Sequence, residues 1–160
     1  MQPFSLRWLL PFILVMLLLA ACGDSAEGDA ATIAAVEANE EAYIEAFFAQ
    51  DLDAFMDTFA EDAIFVDETF GDYLEGKNAI NAMYTSVLKF ADPDLTEVND
   101  LFVATDGTFA ASEWEWIGTN AFGKPFELPL ALVHEYRDSK IVRETIYYAS
   151  PDASSELMGQ

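Results

Sequence analysis

Residues 43–67, Y-I-E-A-F-F-A-Q-D-L-D-A-F-M-D-T-F-A-E-D-A-I-F-V-D, limit what this chain can fold into more than any other segment. Two helical patterns meet at a tight acidic turn, Gln50-Asp51-Leu52-Asp53, and a short β-run, Ala63-Ile64-Phe65-Val66, stops on Asp67. The first helix carries Ile33, Val36, Tyr43, Ile44, Phe47 and Phe48 at near-helical spacing, which makes one broad apolar face with Tyr43 on it. Glu37, Glu40, Glu41 and Glu45 read as the exposed face, and Asp29 as a cap at its start. In the second helix Leu52, Phe55, Met56 and Phe59 stand at i, i+3, i+4 and i+7. Both helices need an apolar surface to lie against, and a curved sheet supplies one.

The rest of the chain provides that sheet. After Asp67, E-T-F-G-D-Y-L-E-G reads as a loop, and a third helix starting at Gly76 or Asn78 carries Ile80, Met83, Tyr84, Val87 and Leu88 before Pro93. From Leu95 the period becomes two: strands are predicted at 95–104, 109–118, 126–137 and 140–149, with turn signals at Asp106-Gly107 and Asp138-Ser139. Helices first and strands later indicate an α+β fold. Residues 151–160 read as a loose polar tail.

The arrangement Tyr-x7-Asp-Leu-Asp, then Phe-Ala-x-Asp-Ala-x-x-x-Asp, then Gly76, Ala79 and Ile80, resembles the SnoaL-like, nuclear transport factor 2-like superfamily over about residues 30–150. The resemblance implies a cone-shaped α+β barrel: three N-terminal helices close over a strongly curved, mainly antiparallel sheet and leave a pocket. Within that superfamily the chain looks most like the ketosteroid isomerases. There a helix-1 Tyr donates to the oxyanion and an Asp ending the first strand moves the proton, positions that fall on Tyr43 and Asp67. The second acid of that pattern has no counterpart in Leu130-Ala131-Leu132-Val133-His134. The resemblance also leaves a third reading open, a non-catalytic protein-interaction or dimerisation module, since the superfamily often pairs through the outer sheet face.

The ends and the composition set further bounds. The N-terminus has one positive residue, Arg7, then an apolar run closing on Leu19-Ala20-Ala21-Cys22, the pattern of a signal peptide over 1–21 with a bacterial lipobox. The run from Trp8 to Ala21 is about 14 residues, short of the roughly 20 that span a bilayer. Cys22 is therefore expected to be lipidated and to anchor an exported domain, 32–150, to a membrane through an acidic tether, 22–31. Cys22 is the only cysteine, so no intrachain disulfide forms. A net charge of −22 repels phosphate backbones, which argues against nucleic acid as a partner.

Several residues could carry function. Alternation in 109–116 puts Ser112, Trp114 and Trp116 on one face: either core, a dimer face, or an apolar wall able to grip a ring-shaped or planar ligand. Leu128, Leu130, Leu132, His134 and Tyr136 share a face of the next strand. His134, the only histidine, is either a hydrogen-bonded core residue or an auxiliary acid or base. Asp67, desolvated by Phe65 and Trp114, could act as a base with its pKa raised, Tyr43 donating to the developing oxyanion; its other reading is a strand-end turn former. With one histidine and scattered carboxylates no metal site is expected, and no dinucleotide or phosphate-cradling motif implies a cofactor. The expected partner is a small, largely apolar organic molecule.

Overall fold

The structure, a computed structural model, describes residues 23–104, 106–150 and 152–158. Cys22 and the leader before it lie outside the described residues. Helices α1 (Gly23–Ala49) and α2 (Leu52–Asp57) are followed by strands β1 (Phe59–Asp67) and β2 (Asp72–Glu75), then by helix α3 (Lys77–Val87). Strands β3 (Glu97–Val103), β4 (Phe109–Thr119), β5 (Pro125–Arg137) and β6 (Lys140–Tyr148) and a short helix α4 (Ala153–Met158) complete the chain. The strands form one curved, open sheet in the order β2-β1-β6-β5-β4-β3, antiparallel except for the β1–β6 pair. The expected α+β cone is thus present, with helices packed on one face of a six-stranded sheet that does not close.

The acidic turn between the first two helices follows from its sequence. Gln50 takes a left-handed conformation (φ 53°), which lets its own N–H and that of Asp51 reach back to the carbonyls of Phe47 and Ala46, each at 3.0 Å. The Asp51 side chain then accepts from the Ala54 N–H at 3.0 Å and caps α2.

Five local expectations need correction. Phe59 does not extend α2: the helix stops at Asp57, and Phe59 buries its ring by opening β1, opposite Ile141 of β6. The stretch after Asp67 is not all loop, because Asp72–Glu75 folds back as an edge strand on 64–67. The C-terminal segment is not wholly a loose tail, since α4 buries Ala153 and lays Leu157 against the interior. Glu40 is not on the exposed face of α1: it is fully buried, between Val36 and Tyr43 on the inward stripe. Helix α1 also begins at Gly23, ahead of the Asp29 expected to cap it.

The long strands behave as their alternation predicts. In β4 Ser112, Trp114 and Trp116 are buried, and in β5 the even-numbered residues from Phe126 to Tyr136 are buried. Register shifts in β1, β3 and the β5–β6 pair mark bulges, which bend the sheet around the helices. Gly118 lets the chain after α3 press onto β4: a Cβ there would stand 1.8 Å from the Phe90 carbonyl oxygen. Only glycine permits that approach, and it sets Phe90 at the edge of the space between helices and sheet.

Candidate functional site

Between α1, α3 and the inner face of the sheet lies a pocket of about 310 Å³. Nine of its eighteen lining residues are aromatic, among them Tyr43, Phe47, Phe65, Tyr84, Trp114 and Trp116. Their rings support one another: Tyr43 packs on Phe55 at 4.4 Å between centroids, and Phe47 meets Trp114 edge-on at 5.0 Å. Half-buried Phe70, Phe90 and Leu157 and exposed Asp72 mark the side open to solvent.

Behind Tyr43 and Tyr84 runs a buried polar chain drawn from four elements. Tyr43 of α1 donates to Glu144 Oε2 at 3.1 Å, and Tyr84 of α3 donates to Glu144 Oε1. The two hydroxyls are 3.4 Å apart. Glu144 projects inward from β6 beside His134 of β5, whose Nε2 lies 3.3 Å from Glu144 Oε2. That contact is off the line of a good hydrogen bond and acts through charge. On the other side His134 Nδ1 meets Glu40 Oε1 at 2.6 Å, and Tyr136 donates to the same oxygen at 2.7 Å. Asn39, on α1, donates to Tyr136 at 3.4 Å.

Burying two carboxyl groups completely would cost several kcal/mol each if they were alone. Here every oxygen except Glu40 Oε2 has a donor, and one imidazolium stands between the two. Burial works to lower the His134 pKa, but the negative charges of Glu40 and Glu144 and the hydrogen bond to Glu40 outweigh it and raise it to about 10. Burial works to raise Glu40, and the charge and hydrogen bond of His134, helped by Tyr136, overcome this and hold it below the usual carboxylate range. Tyr43 and Tyr84 are pushed well above the ordinary phenol value, first by burial and then by the charge of Glu144. Both phenols therefore keep their protons and give them to Glu144.

Asp67 sits at the end of β1 and lines the same pocket as Tyr43, and neither side chain is directed to bulk solvent. Its Oδ1 accepts from the N–H groups of Thr69 and Phe70, both at 2.9 Å, so the residue also forms the turn into β2. Burial raises its carboxyl above the ordinary value, the two backbone bonds pull it down, and Asp72 and Glu68 add to the rise. Of the other residues singled out in the sequence, Phe65, Trp114, Trp116 and Leu132 line the pocket. Ser112 is buried and accepts from Trp114 Nε1 at 2.8 Å, so its hydroxyl serves the indole. His134 stands behind the phenols and does not line the pocket.

Glu40, Tyr84 and Glu144 are the residues that sequence reasoning missed. Each left a trace. Glu40 fills the one gap in the stripe Val36–Tyr43–Phe47, and Glu144 alternates with Ile146 and Tyr148 on an otherwise apolar face. Tyr84 lies within the α3 stripe and reads there as one more core ring. Trp116 keeps a different kind of trace: its Nε1 is buried without a partner among the described residues. Among those residues no group of three His, Cys, Asp or Glu is disposed to hold a metal ion.

No curated protein matches the chain. Solved structures do. A candidate isomerase from Bacillus subtilis is 20% identical, with 80% of this chain and 95% of that one covered at a TM-score of 0.68. A candidate polyketide cyclase from Pseudomonas putida is 26% identical over 74% and 94%, at 0.63. A protein of ketosteroid isomerase-like fold from Catenulispora acidiphila, solved in complex with trimethylamine, is 20% identical over 76% and 90%, at 0.61. The likenesses at 20% carry the fold alone. The profile of the SnoaL-like domain matches residues 41–144, the span that runs from the middle of α1 to the buried acid of β6, and the chain belongs to the SnoaL-like domain family.

Proposed function

We propose that this is an exported domain, anchored to a membrane through acylated Cys22, whose pocket binds a small, largely apolar organic molecule. The observation that supports binding is the volume of about 310 Å³ between aromatic walls, with hydroxyl groups at Tyr43 and Tyr84. Such a site gains affinity from apolar area and takes its orientation from a few polar atoms. Titrating the full chain with small cyclic apolar compounds should give a saturable change in indole emission, absent in Leu132→Trp, which fills the pocket. A linear, unsaturable response in the wild type would overturn the binding reading. The anchor is tested separately: fatty-acid labelling in a bacterial host should be lost in Cys22→Ala.

A second reading is acid–base catalysis, and the raised carboxyl of Asp67 in the pocket lining favours it. Asp67 would take a proton next to a carbonyl and return it, in an isomerisation, dehydration or cyclisation. The Pseudomonas putida relative, a candidate polyketide cyclase, is in keeping with that class. Tyr43 would have to turn its proton from Glu144 to the oxyanion, and His134 would balance the charge behind it. Asp67→Asn separates the two readings: binding alone leaves the indole response unchanged, whereas catalysis loses turnover with binding intact.

Pairing with a second copy is the third element of the proposal. Phe102, Phe109 and Tyr147 are exposed on the outer sheet face and give a partner apolar area. Sedimentation of the full chain in detergent over a range of concentrations tests it.

A further inference from the structure

The accounting of protons and charges around the pocket goes further than its size, and it rests on the reading of the pocket as a ligand site. A phenol has one proton to donate, and both Tyr43 and Tyr84 give theirs to Glu144. What they have left for a ligand is lone pairs. A ligand carbonyl or carboxylate at that end would set acceptor against acceptor, while a group bearing N–H or O–H would be satisfied. Charge then chooses between the two kinds of donor. The charged residues of the pocket lining, Asp67 and Asp72, are both acidic. Behind the phenols Glu40 and Glu144 flank the single imidazolium of His134, which leaves one negative charge unbalanced in a water-poor interior. Half the lining is aromatic, and ring faces attract cations most where they are desolvated. The chain's net charge of −22 raises the local concentration of cations around the opening.

We propose that the pocket takes a protonated amine carried on a compact apolar body, with the ammonium group at Tyr43 and Tyr84 and the body against the aromatic walls. The ammonium supplies the protons that the phenol oxygens lack and balances the surplus negative charge behind them.

The test is a matched trio that differs only in the polar group: 1-adamantanamine, 1-adamantanol and adamantane-1-carboxylate, titrated calorimetrically into the full chain at neutral pH. The amine is expected to bind at least about tenfold more tightly than the alcohol, and the carboxylate more weakly than either. In Glu144→Gln, which removes the negative charge behind the phenols, the preference for amine over alcohol should shrink. Tyr84→Phe keeps the ring and removes one lone-pair donor; it should reduce the preference in the same direction if Glu144→Gln does not fold. Alcohol equal to amine, or a carboxylate that binds best, overturns the amine assignment and leaves the ligand site standing. If none of the three binds and the cyclic compounds above also fail, the ligand site itself falls, and the amine assignment with it.

Discussion

Glu40 and His134 are 94 positions apart in the chain and 2.6 Å apart in the fold. The contact joins the long helix to the fifth strand through a charged pair sealed from water, and on its far side the same imidazole reaches Glu144. Removing one partner from a buried pair leaves an uncompensated charge, at a cost of about 3–5 kcal/mol. Glu40→Ala is therefore expected to destabilise the domain by that order in urea unfolding. Because His134 is the only histidine, its ring resonances can be followed without assignment. In Glu40→Ala its pKa should fall from about 10; an unchanged titration would mean that Glu144 alone holds the proton.

The same pair sets how stability depends on pH. His134 has a folded value of about 10 against an ordinary 6.5. Its contribution is fully present below about 6.5 and is lost as pH rises through 10, at roughly 1.4 kcal/mol per pH unit within that window. Glu40, held below its ordinary value, contributes in the opposite direction: its share is present above about 4.5 and is lost as pH falls through its folded value. Urea midpoints should fall between pH 7 and 10 in the wild type. The slope should flatten in His134→Gln, which cannot bind the extra proton.

What the sequence made legible, and what it did not, follows from the range of the forces involved. Strand alternation is local, so the inward faces of β4 and β5, with Trp114, Trp116 and His134, can be read from eleven to thirteen consecutive residues. The turn at Gln50-Asp51 is local too. A buried acid is different: Glu40 is stable inside only because His134 and Tyr136 meet it from a strand far along the chain, and its own neighbourhood, rich in glutamate, points outward. Glu144 is held inside in the same way, by phenols that reach it from two helices. The edge strand Asp72–Glu75 is polar and flanked by Gly71 and Gly76, so loop chemistry outweighs strand chemistry until β1 supplies its hydrogen bonds.

Asp67 carries two opposed demands. Its turn needs an acceptor at Oδ1 for the Thr69 and Phe70 N–H groups, while burial disfavours its charge. An asparagine keeps the acceptor and removes the charge. With a folded value above the unfolded one, the carboxyl's stabilising contribution is present at low pH and lost as pH rises through that folded value. Asp67→Asn should therefore be at least as stable as the wild type at pH 7, with the difference vanishing in acid. A thermal midpoint lower than wild type at pH 7 would show that the charge itself holds the turn.

The last helix supplies part of the pocket's rim. Leu157 lines it, Ala153 is fully buried, and the carbonyl of Glu156 accepts from Asn120 Nδ2 at 2.8 Å, which ties α4 to the loop between β4 and β5. Ending the chain after Ser150 removes the leucine wall and leaves the Asn120 amide without that acceptor. Burying a leucine side chain is worth about 1.5–3 kcal/mol, so an apolar ligand should lose roughly tenfold or more in affinity. The fold, built on α1 and the six strands, should persist. Calorimetry on the truncated chain, with circular dichroism as the control for folding, reads both. Unchanged affinity would place the ligand at the Tyr43–Tyr84 end alone, out of reach of α4.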